Sequence, residues 1–152
     1  FPPGLSFDET AVLIARNKAL AVAAKTDQQI PVLAADTIVV CDDMILGKPA
    51  DRDDAIRILE LLSGKEHRVI TGVVILFNGR EISFADTTFV NFHTLTKDQV
   101  IYYVDHYKPY DKAGAYAIQE WIGVTGIKSV NGDFYNVMGL PVSRVIRELN
   151  LL

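Results

Sequence analysis

The chain has 152 residues, 49% of them hydrophobic, which suffices for one globular domain with a sizeable core. Its formal net charge of -4 argues against a general nucleic-acid binder but leaves room for a small phosphorylated substrate held by a few local lysines. No apolar run approaches the roughly eighteen residues of a membrane span, no signal peptide is visible, and the lone cysteine, Cys41, can form neither an internal disulfide nor a thiolate cluster, which fits a reducing cytoplasm.

Phe1-Pro2-Pro3-Gly4 reads as extended or turned, since it cannot begin a helix interior. Ser6 and Glu9 have the spacing of a capping box, predicting a helix from about Ser6 to Lys25 with Leu13, Ile14, Leu20 and Ala24 sharing much of a face. Lys18 lies on this helix among small and aliphatic residues, where a lysine ordinarily snorkels to solvent. After a polar connection from Thr26 to Pro31 comes an apolar strand interrupted by Asp36-Thr37, then a turn and a Gly47-Lys48-Pro49 corner. Asp51 to Leu62 predicts a second helix, its aspartates suiting the positive helix end and Ser63-Gly64 its stop.

Val69 to Phe77 reads as a strand, Asn78-Gly79 as a two-residue hairpin turn, and Arg80 to Leu95 as the return strand. His67 nearby reads as a hydrogen-bonded structural histidine, because no second metal ligand accompanies it. Thr96 and Gln99 form another capping-box pattern, opening a helix to about Tyr107 that Lys108-Pro109 ends. Asp111-Lys112 is a charged corner feeding the small residues Ala113 to Ala117, whose backbone can lie close to another element or to a ligand. Ile122 to Val130 predicts a strand, Asn131-Gly132 a turn, and Gly139-Leu140-Pro141 the start of a final helix with Val142, Val145, Ile146 and Leu149 as its stripe. Helices alternating with strands, broken by one long hairpin, predict an α/β fold with a mixed, twisted sheet flanked by helices and a cleft.

The chemistry centres on Asp36. An ionised carboxylate in an apolar strand needs a cation, a metal or hydrogen-bond donors, unless it sits at a strand end and caps a turn. Phosphate loops, dinucleotide turns, zinc-binding helices and nucleophile elbows are all missing from the sequence. An aspartyl-phosphate mechanism would call for a D-x-D pattern, whereas Asp36 is followed by Thr37-Ile38. A carboxylate, several lysines and the amide of Gln119 suit a phosphate ester: lysines neutralise its charge, and a carboxylate binds a divalent cation or takes a proton from water.

Ala34-Ala35-Asp36-Thr37-Ile38-Val39, Leu46-Gly47-Lys48-Pro49, Leu62-Ser63-Gly64 with His67 and Thr71-Gly72-Val73, Asp111 to Gln119, and Asn131-Gly132 through Gly139-Leu140-Pro141 together resemble the Maf family, in the family's order and over essentially the whole chain. Maf proteins are nucleoside triphosphate pyrophosphatases, releasing a monophosphate and pyrophosphate. The resemblance implies that Asp36 accepts the proton of the attacking water and approaches a divalent metal, Mg²⁺ or Mn²⁺. It implies that Lys18 and Lys48 hold the triphosphate, and that Thr37 with Gln119 places the chain in the branch acting on dTTP and UTP. Exclusion of non-standard nucleotides from nucleic acids would be the purpose; a non-catalytic nucleotide-binding regulator of cell division is the alternative. Neither a nucleic-acid nor a membrane partner is expected, and family analogy points to a homodimer. The family begins with a strand and a Ser-x-Ser-Pro-Arg-Arg loop, followed by a glutamate. This chain starts at Phe1, about where the next helix begins. The expectation is therefore a single Maf-like domain over 1–152 without its N-terminal strand and phosphate-binding loop, hydrolysing dTTP poorly when alone.

Overall fold

Ser6 closes the first turn of the first helix, α1 (Phe7–Ala23), by accepting from the Glu9 amide at 3.1 Å while the Glu9 carboxylate accepts from the Ser6 amide. This reciprocal bonding satisfies amides that a helix start leaves unpaired. The structure, a computed structural model, describes residues 3–27 and 29–152; the expected start at Phe1-Pro2 and the Gln28 part of the connection lie outside the described residues. Strand β1 (Val32–Cys41) turns through Asp42-Asp43, both at positive φ, into the short β2 (Met44–Leu46). Helix α2 (Arg52–Leu62) is capped by the Asp51 carboxylate, which accepts from the Asp54 amide, and ends at Ser63-Gly64.

Strands β3 (Glu66–Phe77) and β4 (Arg80–Phe92) meet at Asn78-Gly79, both at positive φ as a tight hairpin with right-handed strand twist requires. Helix α3 (Lys97–Tyr107) carries the second capping box, Thr96 with Gln99, and ends at a left-handed Lys108 before Pro109. Then come a 3₁₀ turn (Ala113–Ala115), α4 (Trp121–Gly126), β5 (Ile127–Asn131), the one-turn α5 (Phe134–Val137) and α6 (Val142–Leu149).

The sheet has five strands in the order β2-β1-β3-β4-β5, and each neighbouring pair runs antiparallel. The expected α/β architecture with flanking helices is present; its sheet is antiparallel throughout instead of mixed, because the helices that join β1 to β3 and β4 to β5 return the chain in the opposite direction. Strand alternation separates the faces. Ile38, Val40, Ile70 and Val74 meet α1, whereas Val39, Cys41, Val69, Val90 and Phe92 meet α2 and α3 through Ile58, Leu59, Leu62, Tyr103 and Val104. Further along this second face, Val73, Ile75 and Phe84 pack against Val145 of α6.

One predicted strand is corrected. The stretch Ile122 to Val130 divides into the end of α4 and β5. Ile122 and Gly126, one turn apart, are both buried, and Gly126 fits against Leu95, Ile122 and Phe92 without room to spare. Gly123 faces the Ile118 carbonyl so closely that any side chain would overlap it. Tertiary packing of two glycines thus favours a helical turn over the extended form that an apolar pattern suggested.

Candidate active site

Strand β2 pairs with β1 only between Val39 and Cys41. Earlier along β1, Asp36 and Thr37 have β3 on one side and no partner strand on the other among the described residues. The site begins on the side of β1 away from β3, and the Gly47-Lys48-Pro49 corner lines the same cleft. Asp36 lies well inside β1, opposite Gly72, so it caps no turn at a strand end.

Gly72 explains how a helix residue reaches this carboxylate. A side chain there would meet the Ala11 and Val12 backbone at 2.3 to 2.5 Å, so α1 lies flush on β3. Ala11, Ala15 and Ala19, one turn apart and fully buried, give α1 the thin face that this approach needs. Lys18, next to Ala19, then extends over β1 and its Nζ donates to Asp36 Oδ1 at 2.6 Å. The carboxylate side chain is 18% exposed and the lysine 53%, so the pair is reached by water and positions the groups more than it stabilises the fold. Asp36 Oδ2 accepts no hydrogen bond from the described residues.

Thr37 faces the opposite side of the strand. Its hydroxyl is 2.9 Å from that of Thr71, its cross-strand partner, and 3.3 Å from the Gly139 carbonyl. The segment carrying Gly139 is fastened by Asn136, which is fully buried. Its side-chain amide donates to the carbonyls of Val69 and Asp86 and to the Thr88 hydroxyl, at 3.1 to 3.2 Å. The opposite wall is the small-residue segment. Gly114, at φ +72, lies against Val39 with no space for a side chain, and its amide donates to the Gly47 carbonyl. Small residues here serve close packing as well as the cleft. The Tyr103 hydroxyl bridges this segment, accepting from the Ala117 amide and donating to Glu120, and Gln119 lies exposed between them.

Lys18, Asp36, Thr37, Lys48 and Gln119, the five residues singled out by sequence, line one cleft of about 280 Å³, together with Asp111, Lys112, Tyr116 and Gly139. Lys112 is a third lysine that sequence reasoning left as part of a charged corner; its Nζ is 3.3 Å from Asp111. Thr71 and Asn136 were also missed as site elements. Thr71 stood in one of the motifs that carried the resemblance, Thr71-Gly72-Val73, and Asn136 in the block from Asn131-Gly132 to Gly139-Leu140-Pro141, but neither was given a role in the site. A second hollow of about 300 Å³ lies between Leu20, Ile30, Leu76 and the β3–β4 turn, contains none of the five, and has its Glu81 engaged with Arg16.

His67 lies beneath the cleft, buried, stacked on Phe92 and joined through Nε2 to the Tyr116 hydroxyl at 2.6 Å. Burial disfavours its charged form and pushes its pKa down to about 4, while burial pushes the Tyr116 phenol up. The pair is therefore neutral, as a structural histidine should be. Among the described residues no group of three or more His, Cys, Asp or Glu gathers at one point. No helix among them is long and apolar enough to cross a membrane.

The family model for Maf-like proteins matches residues 4–152. The chain belongs to the Maf family. Among curated relatives, a dTTP/UTP pyrophosphatase of Bacteroides fragilis is 46% identical over 152 residues, covering all of this chain and 79% of the relative. The proteins of the same name from Porphyromonas gingivalis and Cytophaga hutchinsonii are each 46% identical, over 98% of this chain and over 76% and 68% of themselves. Within this Maf chain, the motifs that carried the resemblance, Asp36-Thr37, Gly47-Lys48-Pro49 and the segment from Asp111 to Gln119, converge on the cleft.

Proposed function

We propose that this chain is a nucleoside triphosphate pyrophosphatase that hydrolyses dTTP and UTP to the monophosphate and pyrophosphate. The observation that carries this reading is the union, in one cleft, of the partly exposed Asp36 carboxylate with three lysines, one of them beside Asp111, and the amide side chain of Gln119. Its substrate choice is supported by relatives named dTTP/UTP pyrophosphatase at 46% identity. Asp36 takes a proton from the water that attacks the α-phosphorus, and Lys18, Lys48 and Lys112 offset charge as it moves onto the departing pyrophosphate. Lys18 already bonds Asp36 Oδ1, which fixes the position of the carboxylate in the cleft. Thr37 and Gln119 read the base, a hydroxyl and an amide being able to match the alternating donors and acceptors of a uracil or thymine edge.

A divalent cation, Mg²⁺ or Mn²⁺, belongs to the same proposal. The residues fit it in a limited way: Asp36 Oδ2 is uncommitted, and such cations are commonly held by one or two carboxylates, with substrate phosphates and water completing the shell. When bound, it would polarise the phosphoryl oxygens and add positive charge that the lysines alone do not supply. A cytoplasmic setting is supported by Cys41, a free buried thiol.

The test is pyrophosphate release by the full-length protein across the common nucleoside triphosphates, with Asp36→Asn alongside. The expected result is preference for dTTP and UTP, a turnover loss of roughly a hundredfold or more in the variant, and nucleotide binding largely retained. Binding without release by the native protein, or full turnover by Asp36→Asn, would overturn the assignment.

A further inference from the structure

Thr71 is fully buried behind Thr37, which lines the cleft, and among the described residues it carries the one hydroxyl that touches Thr37. Two hydroxyl protons are available at this point, and three routes lead them into the protein. They are the 2.9 Å Thr37–Thr71 link, the Asn136 carbonyl 3.5 Å from Thr71, and the Gly139 carbonyl 3.3 Å from Thr37. If Thr71 donates to Asn136, Thr37 donates to Thr71 or to Gly139; if Thr71 donates to Thr37, Thr37 donates to Gly139. In each arrangement that keeps both hydroxyl protons on protein acceptors, the Thr37 proton is taken by Thr71 or Gly139 and a lone pair of its oxygen is left for the cleft. The Asn136 carbonyl cannot drift out of reach, because its residue is fixed to β3 and β4 through three side-chain bonds and its oxygen also accepts from the Gly139 amide at 3.0 Å.

We infer that Thr71 is a positioning residue for base selection, holding the Thr37 hydroxyl as a hydrogen-bond acceptor toward the nucleotide. The inference rests on the base-reading role given to Thr37 above. An acceptor at that point suits the N3–H of uracil or thymine. It opposes cytosine, whose N3 is itself an acceptor and would leave two lone pairs facing each other. Without the Thr71 hydroxyl, only the longer bond to Gly139 restrains the Thr37 proton, which can then turn outward and serve cytosine.

The test compares Thr71→Val and Thr71→Ser through the ratio of kcat/KM for UTP to that for CTP. Valine keeps the shape of the side chain and removes the hydroxyl; serine does the reverse. Removing one neutral hydrogen bond should lower the UTP-to-CTP ratio about fivefold in Thr71→Val, with Thr71→Ser close to the native value. A purely packing role predicts the opposite order, so a native ratio in Thr71→Val, or a loss confined to Thr71→Ser, would overturn the inference while leaving the pyrophosphatase reading intact. Absence of nucleotide hydrolysis by the native protein would overturn both.

Discussion

Gly72→Ala probes the contact on which the Lys18–Asp36 pairing depends. The added carbon would stand 2.3 Å from the Ala11 carbonyl carbon, 2.4 Å from the Val12 nitrogen and 2.5 Å from the Ala11 oxygen. All three atoms are backbone, so no rotamer change relieves the overlap. Carbon–carbon contacts settle near 3.5 Å, so α1 must lift by about 1 Å from β3. Overpacking of this kind costs about 1–3 kcal/mol, and it opens the seam in which Ala11, Ala15 and Ala19 are buried. Lys18 lies two turns further along the helix and is flexible, so its ion pair contributes little to that loss, within about 1 kcal/mol. The catalytic effect is larger than the ion-pair energy suggests, because a misplacement of about 1 Å can cost up to a hundredfold in rate. Urea unfolding monitored by Trp121 fluorescence should show a lower midpoint with an unchanged slope, and turnover of UTP should fall at least tenfold at temperatures where the variant remains folded. Gly79→Ala is the control. Unlike Gly72 it has a positive φ, and it has nothing within 4 Å, so it should lose about 1 kcal/mol of stability and no activity. A native midpoint and native turnover in Gly72→Ala would refute the view that α1 is rigidly seated and delivers Lys18.

Two further outcomes follow from the site and the core. Gln119→Glu removes an amide donor and puts a negative charge in a cleft that accepts triphosphates, so kcat/KM for dTTP and UTP should fall about tenfold or more; an unchanged nucleotide preference would remove Gln119 from base selection. His67 has a folded pKa of about 4 against an ordinary 6.5, so the unfolded chain binds more protons between those values. Its contribution is therefore fully present above pH 6.5 and is lost as pH falls toward 4, on the order of 3 kcal/mol across the window. Denaturant midpoints measured from pH 7 to 4 should decline for the native protein and decline less for His67→Gln.

The parts of the fold legible in the sequence are those fixed by short-range bonding. Ser6 with Glu9 and Thr96 with Gln99 satisfy amides three residues away, and Asn78-Gly79 supplies two positive φ values in succession. Asp36, Lys18, Lys48 and Gln119 were legible as site candidates because each occupies a motif in a fixed order along the chain. Thr71 also stands in a motif, but its part in the site was illegible because its relation to Thr37 depends on strand register across 34 residues of sequence. Lys112 looked like any exposed lysine until the Gly114–Gly47 bond brought its segment to the cleft. The strand predicted at Ile122 failed for a similar reason: what decides it is the Ile118 carbonyl and Phe92 lying against two glycines, contacts that no local pattern carries.

The cleft around Asp36 is assembled from three separate parts of the chain. Lys18 reaches it from α1, Lys48 from the corner after β2, and the segment from Ala113 to Gln119 stands over it, seated by Gly114 on Val39. The three parts converge positive charge and hydrogen-bond donors on the space beside Asp36, the arrangement an anionic substrate needs. Of the two lysines only Lys18 bonds Asp36, whereas Lys48 makes no ion pair with the described residues. Removing Lys18 and Lys48 together should therefore weaken triphosphate binding and flatten its dependence on salt, which nucleotide affinity measured at several ionic strengths can check; an unchanged affinity would remove both lysines from phosphate binding.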